Sequence, residues 1–264
     1  MTTVFAIANQ KGGVGKTTSS VNLAASLAAT KKKVLLVDLD PQGNATSGSG
    51  VDKHEAEYTI YDVLVDDLSM EKAISDTPEA SGFDLVPANG DLTAAEVQLL
   101  DMKMKEFRLR NALARVRDNY DFILIDCPPS LNMLTVNALT AADSVIVPIQ
   151  CEYYALEGLT ALLNTIEKIS TVLNPKLHIG GLLRTMYDPR NSLSNDVSNQ
   201  LISHFGEKVY RTIIPRNVRL AEAPSHGAPV ITYDAKSRGA ISYLALAGEI
   251  LRREQALKGQ KQPA

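Results

Sequence analysis

A doubly wound α/β fold, with a mostly parallel sheet covered by helices on both faces, is the fold class this sequence predicts, and three observations lead there. Strand-length apolar runs recur at 4–8, 34–37, 122–125, 144–149 and 178–183. Helical periodicity fills stretches between and after them, at 17–30, 107–117, 156–173 and 240–257. A glycine-rich loop joins the first run to the first helical stretch. Continuous apolar strands separated by helices read as a parallel sheet buried on both sides, and 264 residues suffice for one such domain with a large core.

Taken in order, the first strand feeds the glycine loop and then a helix whose apolar positions Val21, Leu23, Ala24, Leu27 and Ala28 follow helical spacing. The second strand, 34–37, stops at an aspartate. Residues 43–90 are the least regular, with Ser47-Gly48-Ser49-Gly50 and the acidic pair Asp66-Asp67, and are expected to form an irregular surface insertion with short helices inside a single domain spanning 1–257. The third strand, 122–125, again ends in aspartate, and strands at 144–149 and 178–183 bracket the helix at 156–173. The last helix covers 240–257, and the tail 258–264, ending in Gln-Pro-Ala, is expected to be flexible.

Lys and Arg number 27 against 30 Asp and Glu, a net charge of −3. That excludes a protein held to nucleic acid by bulk charge, although a local basic face remains possible. The longest apolar runs fall far short of the roughly 20 residues needed to span a bilayer, and the first residues reach polar Asn9-Gln10-Lys11 too soon for a secretion signal, so a cytoplasmic location is expected. Two cysteines, Cys127 and Cys151, are expected as reduced thiols in or near the core.

The loop after the first strand reads Lys11-Gly12-Gly13-Val14-Gly15-Lys16-Thr17-Thr18. Glycines let backbone N–H groups converge on one point, and the helix beginning there adds its positive end, so the loop is expected to hold phosphates. Lys16 is placed to reach the β- and γ-phosphates and the Thr17 hydroxyl to ligate Mg²⁺. The common G-x-x-x-x-G-K-[ST] motif has its first glycine where this chain has Gln10, and a lysine follows at position 11. The second strand continues into Asp38-Leu39-Asp40-Pro41-Gln42-Gly43-Asn44, and the third into Asp126-Cys127-Pro128-Pro129-Ser130. Carboxylates at the C-terminal ends of parallel strands lie on the edge where such sheets bind ligands. An aspartate ending an apolar strand is the arrangement that holds Mg²⁺, and Asp126 is assigned to it.

These strings resemble the ParA/MinD family of deviant Walker A ATPases, within the P-loop NTPase fold class. The resemblance implies ATP and Mg²⁺ as cofactors and an ATP-sandwich homodimer in which the early lysine, Lys11, contacts phosphates across the interface. It further implies that Asp40 positions the attacking water, so Lys11, Lys16 and Asp40 form the catalytic set and residues 11–18 the phosphate site. Met186, Pro215 and Asn217, in Arg184-Thr185-Met186-Tyr187-Asp188 and Ile214-Pro215-Arg216-Asn217, fall where the family lines its adenine pocket. Between Arg184 and Arg219 six basic residues face three acidic ones, so this segment carries +3 against −6 in the rest of the chain. Arg190, Arg216 and Arg219 are accordingly assigned, by resemblance and charge, to a nonspecific DNA surface.

Glu222-Ala223-Pro224-Ser225-His226-Gly227 is similar to the chromosomal, Soj-type branch. That branch implies chromosome or plasmid partitioning with a ParB-type centromere-binding partner, slow partner-stimulated ATP hydrolysis, and a cytoplasmic protein associated with the nucleoid. The alternative is a MinD-type membrane-surface spatial regulator. Its basic amphipathic C-terminal helix is poorly matched by Ala245–Leu257, which has no aromatic residue after Tyr243, so no membrane partner is expected.

Overall fold

The computed structural model describes residues 2–260. In chain order the strands are β1 (Thr3–Ile7), β2 (Val34–Asp38), β3 (Ser75–Asp76), β4 (Asp84–Val86), β5 (Phe122–Asp126), β6 (Ser144–Gln150), β7 (His178–Tyr187) and β8 (Val209–Pro215). They form one sheet in the order β3-β4-β2-β5-β1-β6-β7-β8, parallel throughout except for the antiparallel β3–β4 pair. The helices are α1 (Lys16–Ala28), α2 (Asn44–Gly48), α3 (Ile60–Val65), α4 (Met70–Ala73), α5 (Leu92–Gln98), α6 (Arg108–Leu113), α7 (Met133–Ala141), α8 (Ala155–Val172), α9 (Ser192–Phe205), α10 (Val218–Glu222), α11 (Val230–Tyr233) and α12 (Arg238–Gln260).

The two-residue period of the strands splits the core into two layers. Val4 and Ala6 of β1, Leu35 and Val37 of β2, and Ile123 and Ile125 of β5 pack on one face with α3, α5, α6, α7, α8 and α9. Phe5 and Ile7, Val34 and Leu36, and Phe122 and Leu124 pack on the other with α1 and α12. Both faces of every central strand are therefore apolar, which is why these runs show no polar alternation.

Segment 43–90 departs from the expected surface insertion. It contributes β4 in parallel register with β2, Leu36 opposite Leu85 and Val37 opposite Val86, and it buries Ile60, Leu64 and Met70 in the core. The physical reason is that burial here comes from short pieces. α3 is six residues long and is set by a capping box between Thr59 and Asp62, while β4 is only three residues. Of the tail expected to be flexible, 258–260 form the end of α12, and 261–264 lie outside the described residues.

Register fixes the site. Ile7 of β1 and Asp38 of β2 both pair with Asp126 of β5, so the phosphate loop and both strand-end aspartates emerge together at one sheet edge.

Candidate functional site

The loop between β1 and α1 is held at several points. The Asn9 side chain donates to the Pro148 carbonyl at 2.7 Å and its Oδ1 accepts from the Lys11 amide at 3.0 Å. Thr185, at the end of β7, donates to the Val14 carbonyl at 2.8 Å. Gly13 and Gly15 have φ of 72° and 85°, a left-handed conformation that a side chain would strain. A Cβ added at Gly12 or Gly13 would meet nothing within 4 Å, so the mouth of the loop is open backbone. No side chain caps α1 and its first turn carries no acidic residue, which leaves the initial N–H groups for an anion. Lys16 lies buried beside this opening, its Nζ donating to the Lys11 carbonyl at 3.2 Å. Burial lowers its pKa, and the neighbouring carboxylates, Asp126 ahead of Asp40, oppose that shift.

The carboxylates divide by environment. Asp38 is fully buried and accepts from the Thr46 amide and hydroxyl at 2.8 and 2.7 Å and from the Asp40 amide at 3.1 Å, so it organises the turn that follows β2. Asp40 is half-buried, with Oδ1 accepting from the Gln42 amide at 3.0 Å. Asp126 is fully buried; Oδ1 accepts from Ser20 Oγ at 2.7 Å, and Oδ2 has no partner. Burial pushes the Asp38 carboxyl up to about 6 and the Asp126 carboxyl up to about 7, the latter further raised by the neighbouring Asp38 charge. The orphaned Asp126 oxygen is a hard donor of the kind that suits Mg²⁺, and the Thr17 hydroxyl, in the first turn of α1, is a second such oxygen at this edge. Among the described residues no group of three His, Cys, Asp or Glu side chains is placed to hold a metal ion. Cys127 and Cys151 are buried free thiols, Cys151 pushed up to about 11 by burial.

The residues assigned to the base converge. Tyr187 of β7 pairs with Pro215 of β8, and the Arg216 amide donates to the Tyr187 carbonyl at 3.2 Å, which brings Met186 beside Pro215 and Asn217. Met186 has φ of 49°, an uncommon conformation for a non-glycine residue. Asn217 stands at the N-cap of α10 without capping it, and its buried Oδ1 has no partner, so one acceptor in this loop is left over.

The arginines are less uniform than their count implies. Arg190 is 87% exposed and grips Asp188 through Nε at 2.9 Å and Nη2 at 2.8 Å. Arg219 bonds Glu222 at 2.8 Å and approaches Asp234 at 3.3 Å, whereas Arg216 is exposed. Arg184, counted in the basic segment, is only 6% exposed and bonds Ser198 Oγ and the Tyr210 carbonyl, each at 2.9 Å. It braces β8 and adds nothing to an outward phosphate-binding face. Exposed pairs such as Arg190–Asp188 are screened by solvent and yield readily to another anion.

Several residues at this edge escape motif reading: Asn9, Ser20, Thr46, Glu152 and Thr185. Ser20 lies one helical turn after Lys16, and Asn9 directly precedes the loop; those were the available signals. Glu152 and Thr185 meet the loop only through the fold. Glu152 Oε2 stands 2.7 Å from Lys11 Nζ.

A protein-family model described as an AAA domain matches residues 2–179. The sporulation initiation inhibitor protein Soj of Bacillus subtilis is 56% identical over 94% of this chain and 97% of its own. The chromosome partitioning protein ParA of Caulobacter vibrioides is 53% identical over 96% and 95% respectively. Among solved structures, a protein described as cobyrinic acid a,c-diamide synthase from Mycobacterium smegmatis, with bound ATP analog and magnesium, superposes with a TM-score of 0.86 at 39% identity, covering 100% of this chain and 99% of that one. Among the described residues no helix is long and apolar enough to cross a membrane.

Proposed function

Because the chain belongs to the ParA/Soj family of chromosome-partitioning ATPases, we propose that it works as a single Mg²⁺-dependent ATPase domain that dimerises on ATP, binds DNA without sequence preference, and drives chromosome or plasmid partitioning with a ParB-type partner. The observation that carries this reading is the different setting of two lysines on one loop. Lys16 is buried at the phosphate mouth, while Lys11 stands on the rim, 39% exposed and engaged with Glu152. The rim lysine is the cation available to a nucleotide held by a second copy.

The reaction is transfer of the γ-phosphoryl group to water, giving ADP and inorganic phosphate, where positioning and charge stabilisation dominate catalysis. The α1 N–H groups and Lys16 bind the phosphates. Lys11 adds positive charge from the other subunit as negative charge shifts toward the leaving oxygen. Asp40, half-exposed and only locally bonded, orients the attacking water. Thr17 and Asp126 would hold Mg²⁺, which would supply neutralisation of the phosphate charge. Asn217 offers its spare acceptor to the amino group of adenine, against Met186 and Pro215. Hydrolysis is slow alone and stimulated by the partner, and the dimer presents Arg190, Arg216 and Arg219 twice, which raises avidity without new contacts. This places the protein in the cytoplasm, on the nucleoid.

The name of the M. smegmatis structure points to amidation chemistry, but its identity, 39%, lies well below that of the partitioning relatives, which supports the partitioning reading. Co-sedimentation with DNA and with anionic liposomes, each with ATP and with ADP, tests it. ATP-dependent pelleting with DNA alone is expected. ATP-dependent pelleting with liposomes alone would favour the MinD-type alternative.

A further inference from the structure

The Lys11 backbone is fixed on both sides. Its amide is held by Asn9, which is itself tied to Pro148 of β6, and its carbonyl receives Lys16 Nζ. Only the side chain is free to choose a partner, and it chooses Glu152 at 2.7 Å. Glu152 is anchored in turn. Its amide donates to the Gln150 carbonyl at 2.8 Å, and the preceding Cys151 carbonyl accepts from Ser194 Oγ of α9 at 3.2 Å, so the carboxylate sits on a braced extension of β6. Directly after it, Tyr153 and Tyr154 pack edge to face with ring centroids 5.0 Å apart, and they remain 74% and 66% exposed. An ion pair that blocks a lysine therefore sits beside an uncovered aromatic pair at the mouth of the phosphate loop.

We propose that Glu152 is a positioning residue that holds Lys11 on its own subunit until the triphosphate of a second copy competes for it. The inference rests on the trans role of Lys11 given above. A phosphate across an interface competes with the Glu152 carboxylate for the same ammonium charge. A triphosphate carries more charge than one carboxylate and takes the lysine; a diphosphate lacks the γ-phosphoryl group and leaves it with Glu152. The carboxylate thus sets a threshold that separates the two nucleotide states at the level of dimerisation, apart from affinity in the monomer. Both partners are partly exposed, so the bond is weak enough to exchange.

The test is sedimentation velocity on the full chain with Mg²⁺ and a non-hydrolysable ATP analogue, comparing wild type, Glu152→Gln and Glu152→Asp. An exposed ion pair is worth up to about fivefold, and a symmetric dimer breaks two, so Glu152→Gln is expected to lower the dimer Kd by about 3- to 25-fold. Glu152→Asp, which keeps the charge on a shorter stem, falls between. With ADP the Gln variant forms detectable dimer where wild type does not, and the difference between them shrinks at about 0.5 M salt, where exposed charges are screened. ADP affinity of the monomer, equal in all three, shows that the site is intact. A Glu152→Gln dimer as weak as wild type or weaker overturns the proposal. Wild type that stays monomeric with the analogue overturns the trans role of Lys11 itself, a result distinct from a wild-type dimer indifferent to Glu152.

Discussion

Replacing Asp126 by Asn should make the nucleotide-free protein more stable and, at the same time, remove its response to Mg²⁺. Asp126 is fully buried, one oxygen is unpartnered, and its carboxyl is pushed from 3.8 to about 7 by burial and the neighbouring Asp38. A carboxyl whose pKa is raised on folding contributes stability that is complete below the unfolded value and is lost as pH rises through the folded one. At pH 5 the folded group is largely neutral but the unfolded one is already ionised, so about 1.5 kcal/mol of the penalty is in place and the substitution gains correspondingly less. At pH 8 the folded protein carries the buried charge, which costs at most about 4 kcal/mol for a shift of this size. The Asn side chain brings a new donor, and if Asp38 does not accept it, about 1–3 kcal/mol is lost again. A net gain of about 1–4 kcal/mol at pH 8 follows, or roughly 3–12 °C in Tm for a chain of this length. Thermal melts of both proteins from pH 5 to pH 8, without Mg²⁺ or nucleotide, should show a gap that opens as pH rises, and calorimetry should show that Mg²⁺ no longer tightens nucleotide binding to the variant. A variant less stable than wild type at pH 8 would show that the buried charge is not costly, and one that keeps the full Mg²⁺ effect would remove Asp126 from the metal site.

Two further predictions follow from the site. Thr185→Val keeps the shape of the side chain but removes the bond to the Val14 carbonyl, so stability should drop by about 1–2 kcal/mol with a parallel loss of ATP affinity; unchanged melting and affinity would show that β7 does not brace the loop. Asp40→Ala should leave ATP-driven dimers intact while slowing phosphate release by about 10²-fold or more, and normal turnover by that variant would remove Asp40 from its role in positioning water.

The central strands and the loop could be read from sequence because each strand is apolar on both faces and its apolar run stops at a polar residue, Asn9, Asp38, Asp126 or Gln150. β8 was harder to find: it is an edge strand, interrupted by Arg211 and Thr212, whose amides both donate to the buried Glu249 carboxylate at 2.9 Å. α7 buries residues around most of its circumference and so lacks an amphipathic period, while α9 is largely polar with Val197 and Leu201 as its buried apolar anchors. At the site, the spacing of 11–18 and the strand-end aspartates revealed the chemistry, because the loop and each aspartate sit next to a strand end. The bonds Lys11–Glu152 and Val14–Thr185 join residues 141 and 171 positions apart, and no local pattern marks them. Arg184 shows the converse: a charge count treats it like Arg190, yet burial turns one inward to brace β8 and leaves the other in solvent.

On the proposed function, ATP turns a weak DNA-binding monomer into a dimer with a doubled phosphate-binding surface. A salt titration of binding to random-sequence duplex DNA, with a non-hydrolysable ATP analogue and with ADP, measures this directly. If each subunit offers Arg190, Arg216 and Arg219, the dimer makes six phosphate contacts and log Kobs should fall with log salt at a slope of about −5 in the analogue, with shallow, weak binding in ADP. Equal affinity and equal slope in the two nucleotide states would contradict an ATP-dependent dimer surface.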